Sequence, residues 1–190
     1  MLKLNIVVVS TRPGRVGLSV GRWFHRRAVE HGNFDVAFVD LQELNLPLLD
    51  EPEHPRLRKY TKAHTQAWSK SVESADAFSF VMPEYNFGMS PTLLNAIDFV
   101  FVEWHYKPAS FVSYGGVSGG IRATQMAKVP LTSVKVMPIT DQVAIPFVSK
   151  QIGADGTFTP TDSQSKAAAD MLDELHRWAT ALKPMREARR

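Results

Sequence analysis

Short apolar runs alternate with amphipathic helical segments about five times along the chain, and this alternation restricts the fold more than any other feature. The first run, Leu4–Val9, is continuous and rich in branched residues, which is typical of a parallel strand buried on both faces. Apolar residues then recur at helical spacing at Val16, Val20 and Ala28. Repetition of this unit predicts an α/β fold, a doubly wound parallel sheet with helices on both faces.

The remaining elements follow from the same two patterns: continuous apolar runs predict strands, and apolar residues at helical spacing predict helices. Further strands are predicted at residues 34–39, 78–82, 109–114 and 134–137. Further helices are predicted from Leu57 to Val72, from Leu93 to Trp104, from Ile121 toward Lys128, and in a last segment that starts near residues 161–163. Residues 41–56 contain three prolines and are predicted to form a loop without regular elements.

The chain has 190 residues, which is room for one domain with a sizeable core. We expect that domain over residues 1–183 and a frayed, solvated basic tail over 184–190. The absence of cysteine excludes a disulfide framework, a thiolate metal site and a cysteine nucleophile. No apolar run is long enough to span a bilayer, and the first one lacks the features of a signal peptide. We therefore expect a cytoplasmic protein with no membrane partner.

Positive charge is concentrated at the start of the chain. The formal net charge is +3, but residues 1–29 contain six basic residues and no acidic one. The C-terminal tail is also basic, yet it has no aromatic residue and few charges, so we expect no nucleic-acid partner. The basic first segment therefore points to a binding site for a small anion.

Three unusual loops follow the first, third and fourth predicted strands: Ser10–Gly17, Pro83–Pro91 and Gly115–Gly120. In an open parallel sheet, ligands bind outside the carboxyl ends of the strands, near the point where the strand order reverses. The sequence therefore predicts that these loops together form the functional site.

The first loop combines hydroxyl groups, Arg12 and Arg15 just before a helix N-terminus, a combination that favours phosphate binding. It matches neither a Walker A loop nor a dinucleotide fingerprint. The alternative is a solvated turn whose arginines pair with acids elsewhere. Asp40, at the end of the second strand, is interpreted as a strand-end cap or a solvated residue.

The second loop is restrained by Pro83 and Pro91. Such a loop presents its backbone groups at fixed positions, which suits a flat heteroaromatic ring, with Tyr85 or Phe87 covering that ring. The alternative is a rigid turn whose two aromatic residues lie in the core or in an oligomer contact. The aromatic residues that follow, from Phe99 to Tyr106, favour a core or a dimer interface.

The third loop contains four glycines, which allow close approach of the backbone to a planar ligand. Gly116–Gly120 also matches the G-x-S-x-G pattern of a nucleophile elbow, with Ser118 as the candidate nucleophile. His176 and one of several aspartates (Asp141, Asp155, Asp162, Asp170 or Asp173) would complete a triad. The weakness of this alternative is that His176 lies within a predicted amphipathic helix. The histidines show no metal-binding spacing.

Together the three loops resemble the NAD(P)H-dependent FMN reductase family of flavodoxin-like proteins. The resemblance rests on Ser10, Arg12 and Arg15, on the run from Pro83-Glu84-Tyr85-Asn86 through Gly88 and Pro91 to the Leu93–Asp98 helix, and on Ser113–Gly116. It covers about residues 4–150 and implies five strands in the order 2-1-3-4-5. It also implies three sets of FMN contacts. Ser10, Arg12, Arg15, Val16 and Gly17 would hold the phosphate, Pro83, Glu84, Tyr85 and Asn86 would line the isoalloxazine, and Ser113, Tyr114, Gly115 and Gly116 would close its other edge.

By this resemblance the protein is an oxidoreductase that passes hydride from NADPH or NADH through bound FMN to a small acceptor in a ping-pong cycle. The acceptor classes are a quinone, a free flavin, an azo compound or a metal oxyanion. The resemblance also implies a homodimer or homotetramer with the third helix and its aromatic residues in the interface. No side chain is required as an acid or base, because the cofactor carries the chemistry. The alternatives are an FMN-binding electron carrier or sensor and, less favoured, the Ser118 hydrolase.

Overall fold

A parallel sheet of five strands forms the centre of the structure, a computed structural model that describes residues 1–188. The strands are β1 (Leu2–Val8), β2 (Phe34–Asp40), β3 (Ala77–Pro83), β4 (Pro108–Tyr114) and β5 (Met137–Ile145). Every adjacent pair is parallel, and the order is β2-β1-β3-β4-β5. The predicted fold class and strand order are confirmed.

Six helices flank the sheet: α1 (Gly17–His31), α2 (Leu41–Leu44), α3 (Ala63–Ser74), α4 (Pro91–Asp98), α5 (Ile121–Ser133) and α6 (Asp162–Glu187). Helices α1 and α6 pack on one face of the sheet, and α3, α4 and α5 pack on the other. Along β1, Ile6 and Val8 face the first layer while Val7 faces the second. Burial on both faces explains why the central strands are continuous apolar runs.

The segment between β2 and α3 differs from the prediction in two ways. Residues 41–44 form the short helix α2, because the Asp40 carboxylate caps it by accepting a hydrogen bond from the amide of Gln42. The next long helix begins at Ala63 rather than at Leu57, which lies in a 3₁₀ turn and is half exposed. The Glu51 carboxylate accepts hydrogen bonds from the amides of Thr61 and Lys62, so a residue distant in the chain sets where α3 begins.

The fifth strand was predicted too early, at residues 134–137. Helix α5 continues to Ser133, and the strand runs from Met137 to Ile145. Val134 and Val136 are buried in the connection, where they pack against the helices on one face of the sheet. The real strand lies at the sheet edge and is only partly buried, so its apolar signal is weaker than that of the connection.

The helix after β3 ends at Asp98, and Trp104 lies in a separate 3₁₀ turn. Phe99 and Trp104 are fully buried within the protein. They contribute to the core, and the expectation that these aromatic residues form a subunit interface is wrong for both.

Helix α6 begins at Asp162, as expected from the sequence, and a capping box of Thr161 and Gln164 holds its N-terminus. It continues to Glu187, so residues 184–187 are helical rather than frayed. Arg186 is buried, and its guanidinium donates to the Asp76 carboxylate at 2.8 Å. Arg189 and Arg190 of the predicted tail lie outside the described residues. Within residues 1–188, no helix has the length and apolar character needed to cross a membrane.

Candidate active site

The three unusual loops meet at the carboxyl edge of the sheet, as predicted. The Ser10 and Tyr85 hydroxyls lie 2.9 Å apart, which joins the loop after β1 to the loop after β3. The amide of Glu84 donates to the carbonyl of Tyr114 at 3.0 Å, which joins the loops after β3 and β4. Because β1, β3 and β4 are neighbours in the sheet, side chains that are far apart in sequence converge here.

The loop after β1 leads into an uncapped helix. Val16, at the N-cap position of α1, provides no capping side chain. The amides of Val16, Gly17 and Leu18 donate to no acceptor within residues 1–188. Free amides at a helix N-terminus, together with the positive end of the helix dipole, form a site suited to an anion.

The two arginines of this loop have different surroundings. Arg12 is exposed, and its guanidinium forms no ion pair with any described residue. Arg15 forms a two-pronged pair with Asp40, with both N–O distances 2.5 Å, and it also donates to the carbonyl of Ser10 at 2.7 Å. The alternative interpretation, in which the arginines pair with acids elsewhere, therefore holds for Arg15 and not for Arg12. Asp40 is a strand-end cap with a charge partner, and it is not solvated.

Buried hydroxyl groups lie beneath the loop. Ser10 is almost fully buried, and the Tyr114 side chain packs against Gly17, so that a Cβ at position 17 would collide with the Tyr114 hydroxyl. The Tyr114 hydroxyl itself is buried without a hydrogen-bond partner in the described chain. Burial, followed by the nearby Tyr85, raises the Tyr114 pKa. This hydroxyl stays protonated at neutral pH and has a hydrogen bond left to donate.

The loop after β3 is a tight turn. The amides of Tyr85 and Gly88 donate to each other's carbonyls, at 3.1 Å and 2.8 Å. The two central residues, Asn86 and Phe87, have positive φ angles of 49° and 68°, as in a type I′ turn. Asparagine is typical of this position, but a bulky phenylalanine is not, so the backbone at Phe87 is strained and must be held by its surroundings. The Tyr85 hydroxyl is bonded to Ser10, and coverage of a ring by Tyr85 or Phe87 stays a prediction.

Glu84 and Arg122 hold this turn against helix α5. The Glu84 carboxylate accepts from Nε of Arg122 at 2.7 Å and from its amide at 3.1 Å, and the guanidinium lies over the Phe87 ring, 3.9 Å from its centroid. Burial by itself raises the Glu84 pKa, but hydrogen bonds from Arg122 and Ser118 outweigh it and lower the pKa. The side chain of Glu84 is therefore a structural anchor, which leaves the backbone of the turn to meet a ligand.

The glycine-rich loop after β4 is fixed at its end and open at its tip. Gly120 has φ of 87°, and a Cβ there would lie 2.7 Å from the amide nitrogen of Tyr114, so only glycine fits. The Ser113 hydroxyl donates to the carbonyl of Gly119 at 2.8 Å. Gly116 is exposed, with nothing within 4 Å of the position that a Cβ would take. The loop thus leaves space beside its own backbone.

This chain is similar in sequence to a family of known enzymes. A family profile described as NADPH-dependent FMN reductase matches residues 2–150. The chain belongs to this family. An NAD(P)H-dependent FMN reductase of Schizosaccharomyces pombe is 35% identical over 147 residues, which are 76% of this chain and 74% of that relative. The family is one of oxidoreductase enzymes, and its members use FMN and NAD(P)H.

Two further similarities are more limited. An NAD(P)H:quinone oxidoreductase of Solanum tuberosum is 43% identical over 61 residues, which are 30% of this chain and 31% of that protein. A flavoenzyme NAD(P)H:(acceptor) oxidoreductase from Paracoccus denitrificans has a similar structure, with a TM-score of 0.74 and 21% identity. The similarity covers 95% of this chain and 98% of that one, and it shows the shared fold.

The residues of this FMN reductase family member fit the cofactor. The uncapped N-terminus of α1 and the unpaired Arg12 are suited to a phosphate group. The amides of Asn86 and Gly116 donate to no acceptor within the described chain, and they lie on the two loops expected to flank the ring. The site therefore offers free donors at both ends of an elongated anionic ligand.

The hydrolase alternative does not fit the geometry of this family member. Ser118 follows the carboxyl end of β4, whereas His176 packs edge-on against Phe34 at the amino end of β2. The strands are seven residues long, so the two side chains lie roughly 20 Å apart. No catalytic triad can form between them.

Two functional contacts were not found from the sequence. The Arg122 side chain was not singled out, since an arginine in the first turn of a helix carries no distinctive signal. The sequence likewise gives no sign of the bond between the Tyr85 and Ser10 hydroxyls. Both contacts join loops that are distant in sequence, and strand order alone brings them together.

Proposed function

We propose that this FMN reductase family member binds FMN at the carboxyl edge of the sheet and uses it to reduce a small acceptor with NADPH or NADH. The acceptor would be a quinone, a free flavin, an azo compound or a metal oxyanion, and the two half-reactions would alternate in a ping-pong cycle. Bound FMN would supply the hydride chemistry, while the protein supplies position and electrostatics.

The observation that carries the proposal is the unpaired Arg12 beside the uncapped N-terminus of α1. A phosphate at this point would receive charge-assisted hydrogen bonds from Arg12 and bonds from the free amides of Gly17 and Leu18.

The ring would lie between the turn after β3 and the glycine loop after β4. The amides of Asn86 and Gly116 would donate hydrogen bonds toward it, and such donors favour negative charge on a ring that has been reduced. The Glu84–Arg122 contact fixes the turn in advance, so that these donors need little reorganisation.

The breadth of the acceptor classes follows from the exposure of this region. Asn86, Phe87 and Gly116 are all exposed, so the part of the site that would hold the ring opens to solvent. An open mouth with few side-chain donors discriminates weakly between planar acceptors. The local similarity to a quinone oxidoreductase favours a quinone among these classes.

The test is a visible absorption spectrum of the purified protein after incubation with FMN and desalting, repeated anaerobically with NADPH and then with NADH. We expect retained flavin bands that bleach with at least one of the two nucleotides and return when a quinone is added. Bands that persist with both would favour the carrier or sensor alternative. A protein that retains no flavin would contradict the proposal.

A homodimer or homotetramer stays a prediction for this protein. Exposed apolar side chains on the site loops, Phe87 and Val117, are 69% and 74% exposed and are available for such a contact. Sedimentation equilibrium with and without FMN would give the subunit number, and a monomer under both conditions would contradict the prediction.

A further inference from the structure

The Arg15 side chain lies beneath the loop that it belongs to. Its guanidinium donates to the carbonyl of Ser10, where the loop begins, and to both carboxylate oxygens of Asp40 at the end of β2. Its own amide donates to the carbonyl of Arg12 at 3.1 Å. One residue thus connects the start, the middle and the outer flank of the phosphate loop.

The charge of Arg15 is already neutralised. The Asp40 side chain is 1% exposed and the Arg15 side chain 10% exposed, so the pair is largely removed from water. The hydrogen bonds to Asp40 raise the Arg15 pKa, so the guanidinium stays ionised. Asp40 also accepts from the amide of Gln42, so each member of the pair is held by a second contact.

We propose that Arg15 and Asp40 form a positioning pair that shapes the phosphate loop, and that Arg15 is not itself a phosphate ligand. Arg12 is then the arginine that contacts the phosphate. This inference rests on the proposed function, since it concerns the site that would hold the FMN phosphate. It changes the role that the family resemblance implies for Arg15.

The physical reason is preorganisation. The loop must point several free amides toward one anion, and any flexibility of the loop lowers the affinity for that anion. A buried, two-pronged ion pair has a fixed geometry, whereas an exposed arginine would not restrain the loop. Removing Arg15 from Asp40 to reach a ligand would leave a carboxylate buried without its charge partner, which is costly.

The two possible roles of Arg15 predict opposite effects of Asp40→Asn. If the pair positions the loop, loss of the carboxylate charge loosens the loop and weakens FMN binding. If Arg15 contacts the phosphate directly, the same change frees its guanidinium, so FMN binding strengthens or stays the same. The sign of the effect therefore decides between the two roles.

The experiment measures the dissociation constants of FMN and riboflavin by flavin fluorescence for wild type, Asp40→Asn, Arg15→Gln and the double variant. We expect each single change to weaken FMN binding about tenfold, the lower end of the cost of losing a residue that orients a binding group. Riboflavin has no phosphate, so its affinity should stay unchanged, which a general loss of structure would not produce. The double variant should lose about tenfold rather than about a hundredfold, because both changes break one pair.

Matched controls are Asp35→Asn and Arg22→Gln, which remove the same charges from exposed positions on β2 and α1. Neither should change the affinity for FMN. If Asp40→Asn unfolds, Asp40→Glu takes its place, since it keeps the carboxylate charge and displaces it by one methylene. A positioning pair then predicts weaker FMN binding, whereas a direct phosphate contact by Arg15 predicts unchanged binding. Thermal denaturation identifies which variants are folded.

Three results separate the possible failures. Stronger or unchanged FMN binding in folded Asp40→Asn would overturn the positioning role and leave the proposed function intact. Equal loss of FMN and riboflavin would also overturn it, because the pair would then support the whole structure. Wild-type protein that binds neither flavin would contradict the proposed function itself.

Discussion

The N-termini of α1 and α3 satisfy their free amides in different ways, although both helices start at the carboxyl edge of the parallel sheet. At α3 the Glu51 carboxylate accepts from the amides of Thr61 and Lys62. At α1 no side chain caps the helix, and Asp40, the acid that pairs with the loop before it, is occupied by Arg15. Equivalent ends of two helices in one fold thus differ in whether the protein supplies the negative charge.

The difference teaches how to distinguish a structural helix end from a binding one. A capped end such as α3 gains stability within the chain, since the carboxylate complements the free amides and the dipole. An uncapped end such as α1 leaves that interaction for a ligand. The N-terminus of α5 is capped in the same way as that of α3, because the Glu84 carboxylate accepts from the amide of Arg122.

The largest effect should come from the unpaired arginine at the α1 end. Arg12→Ala removes a charge-assisted donor, so we expect FMN to bind about 100-fold more weakly, a loss of about 3 kcal/mol. The midpoint of thermal unfolding should not change, since Arg12 has no ion pair in the described chain. Flavin retention after desalting measures the effect, with Arg22→Ala as the matched control. Full retention in Arg12→Ala would remove the main support for the phosphate site.

The next effect tests the close packing beneath the same helix end. Gly17→Ala places a Cβ against the Tyr114 hydroxyl, and we expect about 1–3 kcal/mol of lost stability together with weaker FMN binding. The double variant with Tyr114→Phe should recover most of the stability, because the colliding oxygen is removed. Urea denaturation of both proteins measures this. A stable Gly17→Ala single variant would contradict the packing described here.

Removing the Glu51 cap from the N-terminus of α3 should lower the stability of the protein and leave FMN binding unchanged. Burial opposes ionisation of Glu51, but hydrogen bonds from the Thr61 and Lys62 amides lower its pKa from 4.5 to about 2. Because the folded pKa is the lower one, this contribution is present above about pH 4.5 and is lost as the pH falls toward 2. Glu51→Gln should lower the free energy of unfolding at pH 7 by about 1 kcal/mol and flatten its decline at acid pH.

For Glu51→Gln, FMN affinity at pH 7 should equal that of the wild type. A loss of FMN binding without a loss of stability would reverse the distinction between the two helix ends. Urea denaturation at several pH values measures the change in the free energy of unfolding. Glu53→Gln, which alters a neighbouring exposed carboxylate, is the control.

The smallest effect should come from Ser118 at the start of α5. Its hydroxyl accepts weakly from the Gly120 amide at 3.3 Å and donates to the Glu84 carboxylate, which Arg122 continues to hold through two further hydrogen bonds. Ser118→Ala should therefore change NADPH oxidation and stability little, within about 0.5 kcal/mol. Neither protein should hydrolyse an activated ester. Esterase activity in the wild type that disappears in Ser118→Ala would revive the hydrolase alternative.

Prediction from the sequence succeeded where a local pattern decides the structure. The buried first strand, the start of the last helix near residues 161–163 and the three loops after β1, β3 and β4 were all identified correctly. It failed at β5, where the apolar Val134 and Val136 pack in a connection, and at Leu57, which lies in a turn outside the predicted helix. At β5 the burial of the connection comes from neighbours distant in the chain, and near Leu57 the Glu51 carboxylate sets where α3 begins; periodicity reports neither.

The sequence by itself determined the class of fold and the composition of the site, because period and loop chemistry are local properties of the chain. Only the tertiary structure decided what each charged residue does there. Arg12 and Arg15 are three positions apart in one loop, and nothing in the loop tells them apart. The strand order brings Asp40 next to Arg15 and leaves Arg12 exposed, so the position of one distant carboxylate separates a structural arginine from one available to a ligand.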